Sequence, residues 1–247
     1  MGQQTVKRGR TARRRATWPC LVHSGYVAWH RRVQWAIGLS LLLLAASVPP
    51  LFARSAPSAP AAAPATRSVL VMGDSLSAAY GLATSQGWVA LMAERIKDRH
   101  ARWKVVNASI SGETTAGGAS RIASELKRHA PSIVVIELGA NDGLRGLPLA
   151  QTRANLERMI KTSKAAGAKV LLIGMRIPPN YGREYTQGFE RNFSDLAKQH
   201  AVAFLPFLLE PVALERASFQ PDNLHPTAAV QPAIRDHVWS ALAPMLK

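Results

Sequence analysis

Short apolar runs alternate with amphipathic stretches along residues 68–247. The run 133–138 (IVVIEL) is apolar at nearly every position, which is typical of a strand buried on both faces. Residues 86–99 place apolar side chains three and four positions apart, which indicates a helix. The pattern predicts strands over 68–73, 105–108, 133–138, 169–174 and 202–205, and helices over 86–99, 118–129, 149–166, 186–200 and 226–246. Such alternation favours an α/β domain with a parallel sheet covered on both faces.

Four polar or glycine-rich loops stand out beside these elements. Three follow the first three strands, and the fourth precedes the last helix: 73–77 (GDSLS), 109–114 (SISGET), 139–143 (GANDG) and 222–226 (DNLHP). In an open parallel sheet, ligands bind beyond the carboxyl ends of the strands. We therefore expect the loops to converge at one edge of the sheet.

The loops contain the parts of a serine nucleophile system. A serine hydroxyl such as that of Ser75 needs a base, and histidine is the usual base near neutral pH. His225 is the candidate base, and Asp222, three residues earlier, is close enough to fix its tautomer. Pro226 suits the first turn of the closing helix, which predicts His225 at the rim of that helix.

An acyl transition state also needs hydrogen-bond donors for its oxyanion. The backbone N–H groups of Ser75 and Gly112 and the side-chain amide of Asn141 can supply three. Because Gly112 has no Cβ, the backbone there can approach a ligand closely.

Four sequence blocks, in this order, resemble the SGNH (GDSL) hydrolase family. They are Gly73-Asp74-Ser75-Leu76, Gly112, Gly139-x-Asn141-Asp142 and Asp222-x-x-His225. The likeness covers nearly all of 68–247 and is closest to a bacterial periplasmic branch of thioesterases, lysophospholipases and arylesterases. It implies a three-layer α/β/α sandwich around a flavodoxin-like, five-stranded parallel sheet. It also implies hydrolysis of esters and thioesters through an acyl-enzyme, without a metal or other cofactor.

The sequence departs from the family at two positions. Many relatives carry glycine where this chain has Ala140 and Asn223. Neither position supplies a catalytic atom, so only the shape of the loops is in question.

Other roles remain open for several of these residues. Ser75 could cap a helix, with Ser77 as the rival nucleophile. Asp74 and Asp142 could brace their loops, and Asn141 could be a left-handed turn residue. His100, His129 and His200 fall at helix ends and His237 within a helix, and these histidines lack the spacing of metal ligands.

Candidate substrate contacts come from two loops. In the resembling family branch the loop after the third strand moves when an acyl chain binds, which points here to Asp142 and Leu144. Ile177, Pro178 and Tyr181 follow the fourth strand and predict an apolar wall for an acyl or aryl group. Ordinary loop packing is the alternative.

The net charge of +16 is concentrated at the amino end. Residues 1–67 carry ten basic residues and no acid, whereas the rest has 21 basic and 15 acidic residues. A basic extension can bind nucleic acid. However, an apolar run at 36–48 follows Arg31 and Arg32, and its length suits a signal peptide better than a membrane span of about 20 residues.

We therefore expect an exported, periplasmic protein cleaved after Ala53 or Ala56. An uncleaved anchor that faces outside the cytoplasm is the alternative. The predicted parts are a basic extension with the signal segment (1–54), a Pro/Ala-rich linker (55–67) and an SGNH hydrolase domain (68–247). The single cysteine, Cys20, lies outside the domain, so the domain has no thiol nucleophile or cysteine metal site.

The predicted function is a metal-free serine ester hydrolase of the esterase, arylesterase, thioesterase or lysophospholipase type. Its expected partner is a small-molecule ester, thioester or lysophospholipid. We expect the protein to be a monomer and not to bind nucleic acid. Transient contact with a membrane surface is compatible with this function. A carbohydrate O-deacetylase on the same fold and a non-catalytic binding module are the alternatives.

Overall fold

The computed structural model describes residues 66–247, so the predicted extension and most of the predicted linker lie outside the described residues. The strands are β1 (Arg67–Gly73), β2 (Trp103–Asn107), β3 (Ile133–Glu137), β4 (Lys169–Ile173) and β5 (Ala203–Leu205). The helices are α1 (Trp88–Arg99), α2 (Thr115–His129), α3 (Ala140–Leu144), α4 (Leu149–Ala165), α5 (Arg183–His200) and α6 (Gln231–Leu242). Short 3₁₀ helices lie at Thr84–Gln86, Pro179–Tyr181, Arg216–Ser218, Ala228–Val230 and Ala243–Met245.

The five strands form one parallel sheet in the order β2-β1-β3-β4-β5. Strand β3 lies at its centre and is buried along its whole length, as its apolar sequence predicts. Strands β1 and β3 pair in register, with Val71 opposite Val135 and Gly73 opposite Glu137. The predicted parallel α/β sheet is confirmed, and its strand order is that of a flavodoxin-like fold.

Helices cover the sheet in two groups. Helix α1 packs against α6, and α4 packs against both α2 and α5. The apolar faces of these helices close the core, with Trp88 in α1 and the edge-to-face pair Phe189 and Phe193 in α5 fully buried. This packing matches the expected three layers and leaves the loops beyond the carboxyl ends of the strands free to form a site.

The end of the chain differs from its prediction. Residues 226–246 are not one helix, because α6 begins only at Gln231. The 3₁₀ helix Ala228–Val230 precedes α6, and the chain before that is extended: Pro226 forms an antiparallel bridge with Phe219, and the Thr227 N–H donates to the Ser218 carbonyl. Pro226 therefore lies outside the first helical turn, and His225 is held by a β-like bridge rather than by the rim of a helix.

Within residues 66–247, no helix is long and apolar enough to cross a membrane.

Candidate active site

Ser75 lies on a tight turn directly after β1. The Asp74 carbonyl accepts the Ala78 N–H at 2.9 Å, and the Ser75 carbonyl accepts the Tyr80 N–H at 3.1 Å. The Asp74 carboxylate accepts the Leu76 N–H at 3.0 Å, so Asp74 braces the turn. These bonds present the Ser75 side chain at the carboxyl edge of the sheet.

A continuous hydrogen-bond chain joins Ser75, His225 and Asp222. His225 Nε2 lies 2.8 Å from Ser75 Oγ, and His225 Nδ1 lies 2.6 Å from Asp222 Oδ2. A carboxylate can only accept, so Nδ1 carries the proton and Nε2 is left to accept from the serine hydroxyl. The arrangement is that of a nucleophile, its base and the group that orients the base.

The turn that carries His225 also fixes the charge of Asp222. The Leu224 N–H, with help from His225, lowers the pKa of Asp222 to about 2. Asp222 Oδ1 accepts the backbone N–H groups of Leu224 and His225 at 3.0 and 3.1 Å. Asp222 is therefore ionised at neutral pH and remains a proton acceptor for the imidazole.

Two residues that sequence reasoning missed hold the histidine in place. The Tyr80 ring lies 4.4 Å from the His225 ring, centroid to centroid. The Gln220 N–H donates to the His225 carbonyl at 2.7 Å, and the Gln220 side-chain amide donates to the carbonyls of Tyr80 and Pro226. Gln220 thus ties the histidine segment to the serine turn. No motif or periodicity marks either residue.

The three predicted oxyanion donors, Ser75, Gly112 and Asn141, follow β1, β2 and β3 respectively. Among residues 66–247, neither the Ser75 N–H nor the Gly112 N–H donates a hydrogen bond to a backbone carbonyl. Gly112 has φ of +78°, a conformation that favours glycine. The Asn141 amide lies in the first turn of α3 and donates to Asp74 Oδ2 at 3.2 Å and to the Glu113 carbonyl at 3.1 Å. Both distances are at the upper end of the usual N–H···O range, so an oxyanion can compete for these hydrogens.

A cavity of about 470 Å³ opens beside Ser75 and His225. Three of the predicted substrate contacts, Leu144, Ile177 and Pro178, line it. Most of the remaining wall is apolar. Leu76 and Leu224 come from two of the four loops that the sequence singled out, whereas six residues lie outside those loops: Met175, Phe207, Leu209, Ala213, Leu214 and Phe219. The cavity suits an acyl or aryl group.

Asp142 and Tyr181, the other two predicted substrate contacts, do not line this cavity. Asp142 is buried and accepts hydrogen bonds from the backbone and hydroxyl groups of Thr115. Its loop-bracing alternative therefore describes its position. The Tyr181 hydroxyl donates to the Leu144 carbonyl at 2.6 Å, which supports the loop from outside.

Two buried carboxyl groups lie beneath the serine turn. Burial raises the pKa of Asp74 to about 6, against the Leu76 and Asn141 bonds that lower it. Burial, with Asp74 as a further cause, raises the pKa of Glu137 well above its ordinary value. Glu137 ends the strand whose apolar run was predicted. An ionisable residue inside such a run was the signal that could have found it.

The other histidines of the domain lie away from this chain of bonds. His129 and His200 each face a glutamate, Glu125 and Glu157, and His237 Nε2 lies 3.0 Å from the Phe207 carbonyl. Among residues 66–247, no group of three or more His, Cys, Asp and Glu side chains could hold a metal ion.

Comparison with known proteins gives the same picture. Residues 71–231 match the GDSL-like Lipase/Acylhydrolase family. Esterase TesA of Pseudomonas aeruginosa is 49% identical over 182 residues, which cover 74% of this chain and 90% of that protein. Thioesterase 1/protease 1/lysophospholipase L1 of Escherichia coli K12 is 41% identical over 184 residues, covering 74% and 87%.

A similar solved structure is that of the psychrotrophic esterase EstA from Pseudoalteromonas sp., inhibited by monoethylphosphonate. It has a TM-score of 0.70 and 38% identity, and the match covers 73% of this chain and 98% of that one.

Proposed function

Because the chain belongs to the GDSL-like lipase/acylhydrolase family, we propose that Ser75, His225 and Asp222 carry out its ester hydrolysis. The protein is a serine ester hydrolase of this family. The observation that carries the residue assignment is the unbroken chain of bonds from Asp222 through His225 to Ser75 at the mouth of an apolar cavity.

Acylation begins with the proton on Ser75 Oγ. His225 Nε2 takes this proton as Oγ attacks the ester carbonyl carbon, and the Asp222 carboxylate stabilises the imidazolium that forms. The carbonyl oxygen becomes an oxyanion, which the N–H groups of Ser75 and Gly112 and the Asn141 amide stabilise. His225 then gives the proton to the departing alkoxide or thiolate, which leaves the acyl group on Ser75.

Deacylation repeats these steps with water. His225 takes a proton from the water, and the resulting oxygen nucleophile attacks the acyl-Ser75 carbonyl. Collapse of the second tetrahedral intermediate returns the proton from His225 to Ser75 Oγ and releases the carboxylic acid. Every proton step uses His225, so the mechanism needs neither a metal nor another cofactor.

The apolar cavity supports esters and thioesters with an extended acyl or aryl group. The cavity has a volume of about 470 Å³. Apart from Ser75, His225 and Asn141, its wall offers few groups that could hydrogen-bond a sugar. We therefore propose esterase, arylesterase, thioesterase or lysophospholipase activity ahead of carbohydrate O-deacetylation. The names of the similar proteins, an esterase and a thioesterase/lysophospholipase, are consistent with this choice.

A substrate panel tests the proposal. It compares p-nitrophenyl esters of increasing acyl length, acyl-CoA thioesters, lysophospholipids and acetylated sugars, with Ser75→Ala as the blank. We expect kcat/KM to rise at least about tenfold from acetyl to octanoyl esters, since each buried methylene contributes to binding. Acetylated sugars as the best substrates would favour the deacetylase. Turnover of no substrate would favour the binding module.

We also propose that the protein acts as a monomer that contacts lipid surfaces transiently. Three exposed hydrophobic side chains of the described domain support this: Leu214, which is 97% exposed, and Leu224 line the cavity, and the Tyr80 ring lies against His225. Light scattering after size exclusion should give one chain per particle. Flotation with phosphatidylcholine vesicles should recover the wild type, and less of Leu214→Ser, whereas equal recovery would contradict the lipid contact.

Export is a further proposal, and its segment at 36–48 lies outside the described residues. It rests on the arginine pair, the short apolar run and the small residues near Ala53 and Ala56. A chain that begins at Thr66 should hydrolyse esters as well as the full chain. N-terminal sequencing after cell fractionation should find a periplasmic protein without the run. Membrane-held protein that retains it would support the anchor, and cytosolic protein that begins at Met1 would contradict export.

A further inference from the structure

Glu137 is a buried acid that the mechanism above does not use. It is the last residue of β3, with 1% of its surface exposed. Its Oε2 accepts a hydrogen bond from Ser77 Oγ at 2.6 Å, and its carboxyl group lies close to the Asp74 backbone N–H. Both groups belong to the serine turn.

These two contacts reach the turn on either side of the nucleophile. Asp74 precedes Ser75, and Ser77 follows it by two residues. The turn also packs directly on the Glu137 side chain. A Cβ atom at Gly73 would lie 2.8 Å from Glu137 Oε2 and 2.6 Å from Ser77 Cβ, so a larger residue at 73 would push them apart. The Ser75 turn therefore packs directly against the carboxyl group of Glu137.

Asp74 and Ser77 also bind residues that follow or end the neighbouring strands. Asp74 Oδ2 accepts a hydrogen bond from the Asn141 amide, and the Ser77 carbonyl accepts one from the Asn107 amide at 2.8 Å. A shift of Asp74 would therefore move a predicted oxyanion donor as well as the nucleophile. Small displacements of such groups are costly, since catalysis depends on sub-ångström geometry.

The surroundings of Glu137 favour its neutral form. Within 66–247, Glu137 makes no ion pair with a lysine, arginine or histidine. The contacts with Ser77 and the Asp74 backbone favour the charged form, but both partners are neutral groups, and burial outweighs them. The nearby charge is the Asp74 carboxyl group, which itself faces His225 and Glu113. Burying a second carboxylate beside Asp74 without a cation is strongly unfavourable, so the proton stays on Glu137.

We propose that Glu137 is a positioning residue for ester hydrolysis: as a neutral acid it holds Asp74 and Ser77 on either side of Ser75 and so fixes Ser75 against His225. The proposal rests on Ser75 being the nucleophile. It assigns Glu137 no contact with substrate.

Two nearly isosteric variants separate this role from a purely structural one. Glu137→Leu keeps the buried volume but removes both acceptors, whereas Glu137→Gln keeps an acceptor oxygen without a charge. We expect Glu137→Leu to lower kcat on p-nitrophenyl butyrate by about 10²-fold, with KM changed less than about threefold. The rate at which a phosphonate ester labels Ser75 should fall by a similar factor. Glu137→Gln should keep kcat within about fivefold of the wild type, with an unchanged kcat/KM profile from pH 6 to 9.

Circular dichroism and thermal melting check that each variant is folded. A folded Glu137→Leu protein with wild-type kcat and labelling rate would overturn the positioning role. A Glu137→Gln protein as impaired as Glu137→Leu would overturn the neutral form. If Glu137→Leu does not fold, Ser77→Ala tests the same link and should lower both rates about tenfold with KM unchanged, whereas wild-type rates would overturn the proposal.

The wild-type control keeps this test separate from the catalytic assignment. If phosphonate labels no serine in the wild type, or labels one other than Ser75, the proposed function fails before the Glu137 variants are compared. If the wild type is labelled at Ser75, the variants test only Glu137.

Discussion

The Asp222 carboxylate binds the His225 side chain and the His225 backbone at the same time. Its Oδ2 lies 2.6 Å from Nδ1 of the imidazole, while its Oδ1 accepts the His225 backbone N–H at 3.1 Å. One turn of four residues therefore sets both the position and the tautomer of the proposed base. Asp222 and His225 are thus joined within one turn, and Gln220 links that turn to the serine turn through the Tyr80 carbonyl.

Asp222→Asn should lower kcat by roughly 10²–10⁴-fold and change KM little. The amide can donate to Nδ1 and so favours the wrong imidazole tautomer. The loss should stay within this range because the Asp222 side chain is 38% exposed and water can replace part of its role. Steady-state kinetics on p-nitrophenyl butyrate measure both constants. A kcat within tenfold of the wild type would mean that another group orients His225.

Asn141→Ala should lower kcat by about 10²–10³-fold, again with little effect on KM. An oxyanion donor acts mainly on the transition state, so its loss appears in kcat. The same kinetic assay separates the two constants. A raised KM at constant kcat would show instead that Asn141 binds the substrate in its ground state.

Asp74→Asn should change how stability depends on pH. Burial raises the pKa of Asp74 from 3.8 to about 6, so the folded state binds this proton more tightly than the unfolded state. The contribution of Asp74 to the unfolding free energy is therefore highest below about pH 4 and falls as pH rises to about 6.

Urea unfolding of the wild type and of Asp74→Asn at pH 4, 5, 6 and 7 measures this effect. The stability of the wild type relative to the variant should fall by roughly 2 kcal/mol across that range. A constant difference between the two proteins would show that the pKa of Asp74 is not raised in the folded state.

Gly112→Ala should reduce both stability and activity. The residue has φ of +78°, where a Cβ costs about 1–2 kcal/mol. Gly167, with φ of +81° and open space where its Cβ would lie, is the matched control after α4. Both alanine variants should lose similar stability in urea unfolding, but only Gly112→Ala should lose kcat, by about tenfold or more, because its N–H is a proposed oxyanion donor. Equal kcat values in the two variants would remove Gly112 from the oxyanion site.

The sequence was sufficient to predict the parallel sheet and the edge where the site lies. Apolar runs such as 133–138 identify buried strands, and the parallel topology brings the loops that follow them together. The same reasoning placed Ser75 and His225 on neighbouring loops, although their separation of 150 residues along the chain carries no local signal.

Features that depend on tertiary contacts were not predictable in this way. Helix α3 is only five residues long and lies in a glycine-rich loop, where periodicity is uninformative. The local sequence predicted that Pro226 begins a helix, because its bridge with Phe219 leaves no signal in that sequence. Asp142 and Tyr181 are residue types that often occur in binding sites. However, Asp142 binds Thr115 beneath the loop, and Tyr181 supports the loop from outside.

The most direct test of the catalytic assignment is the site of covalent labelling by a phosphonate ester. The wild-type protein is incubated with the reagent until inactive, digested and analysed by tandem mass spectrometry, with Ser75→Ala and Ser77→Ala treated in parallel. We predict one adduct, on Ser75, in the wild type and in Ser77→Ala, and neither adduct nor activity above about 10⁻³ of wild type in Ser75→Ala. An adduct on Ser77, or full ester hydrolysis by Ser75→Ala, would contradict the account.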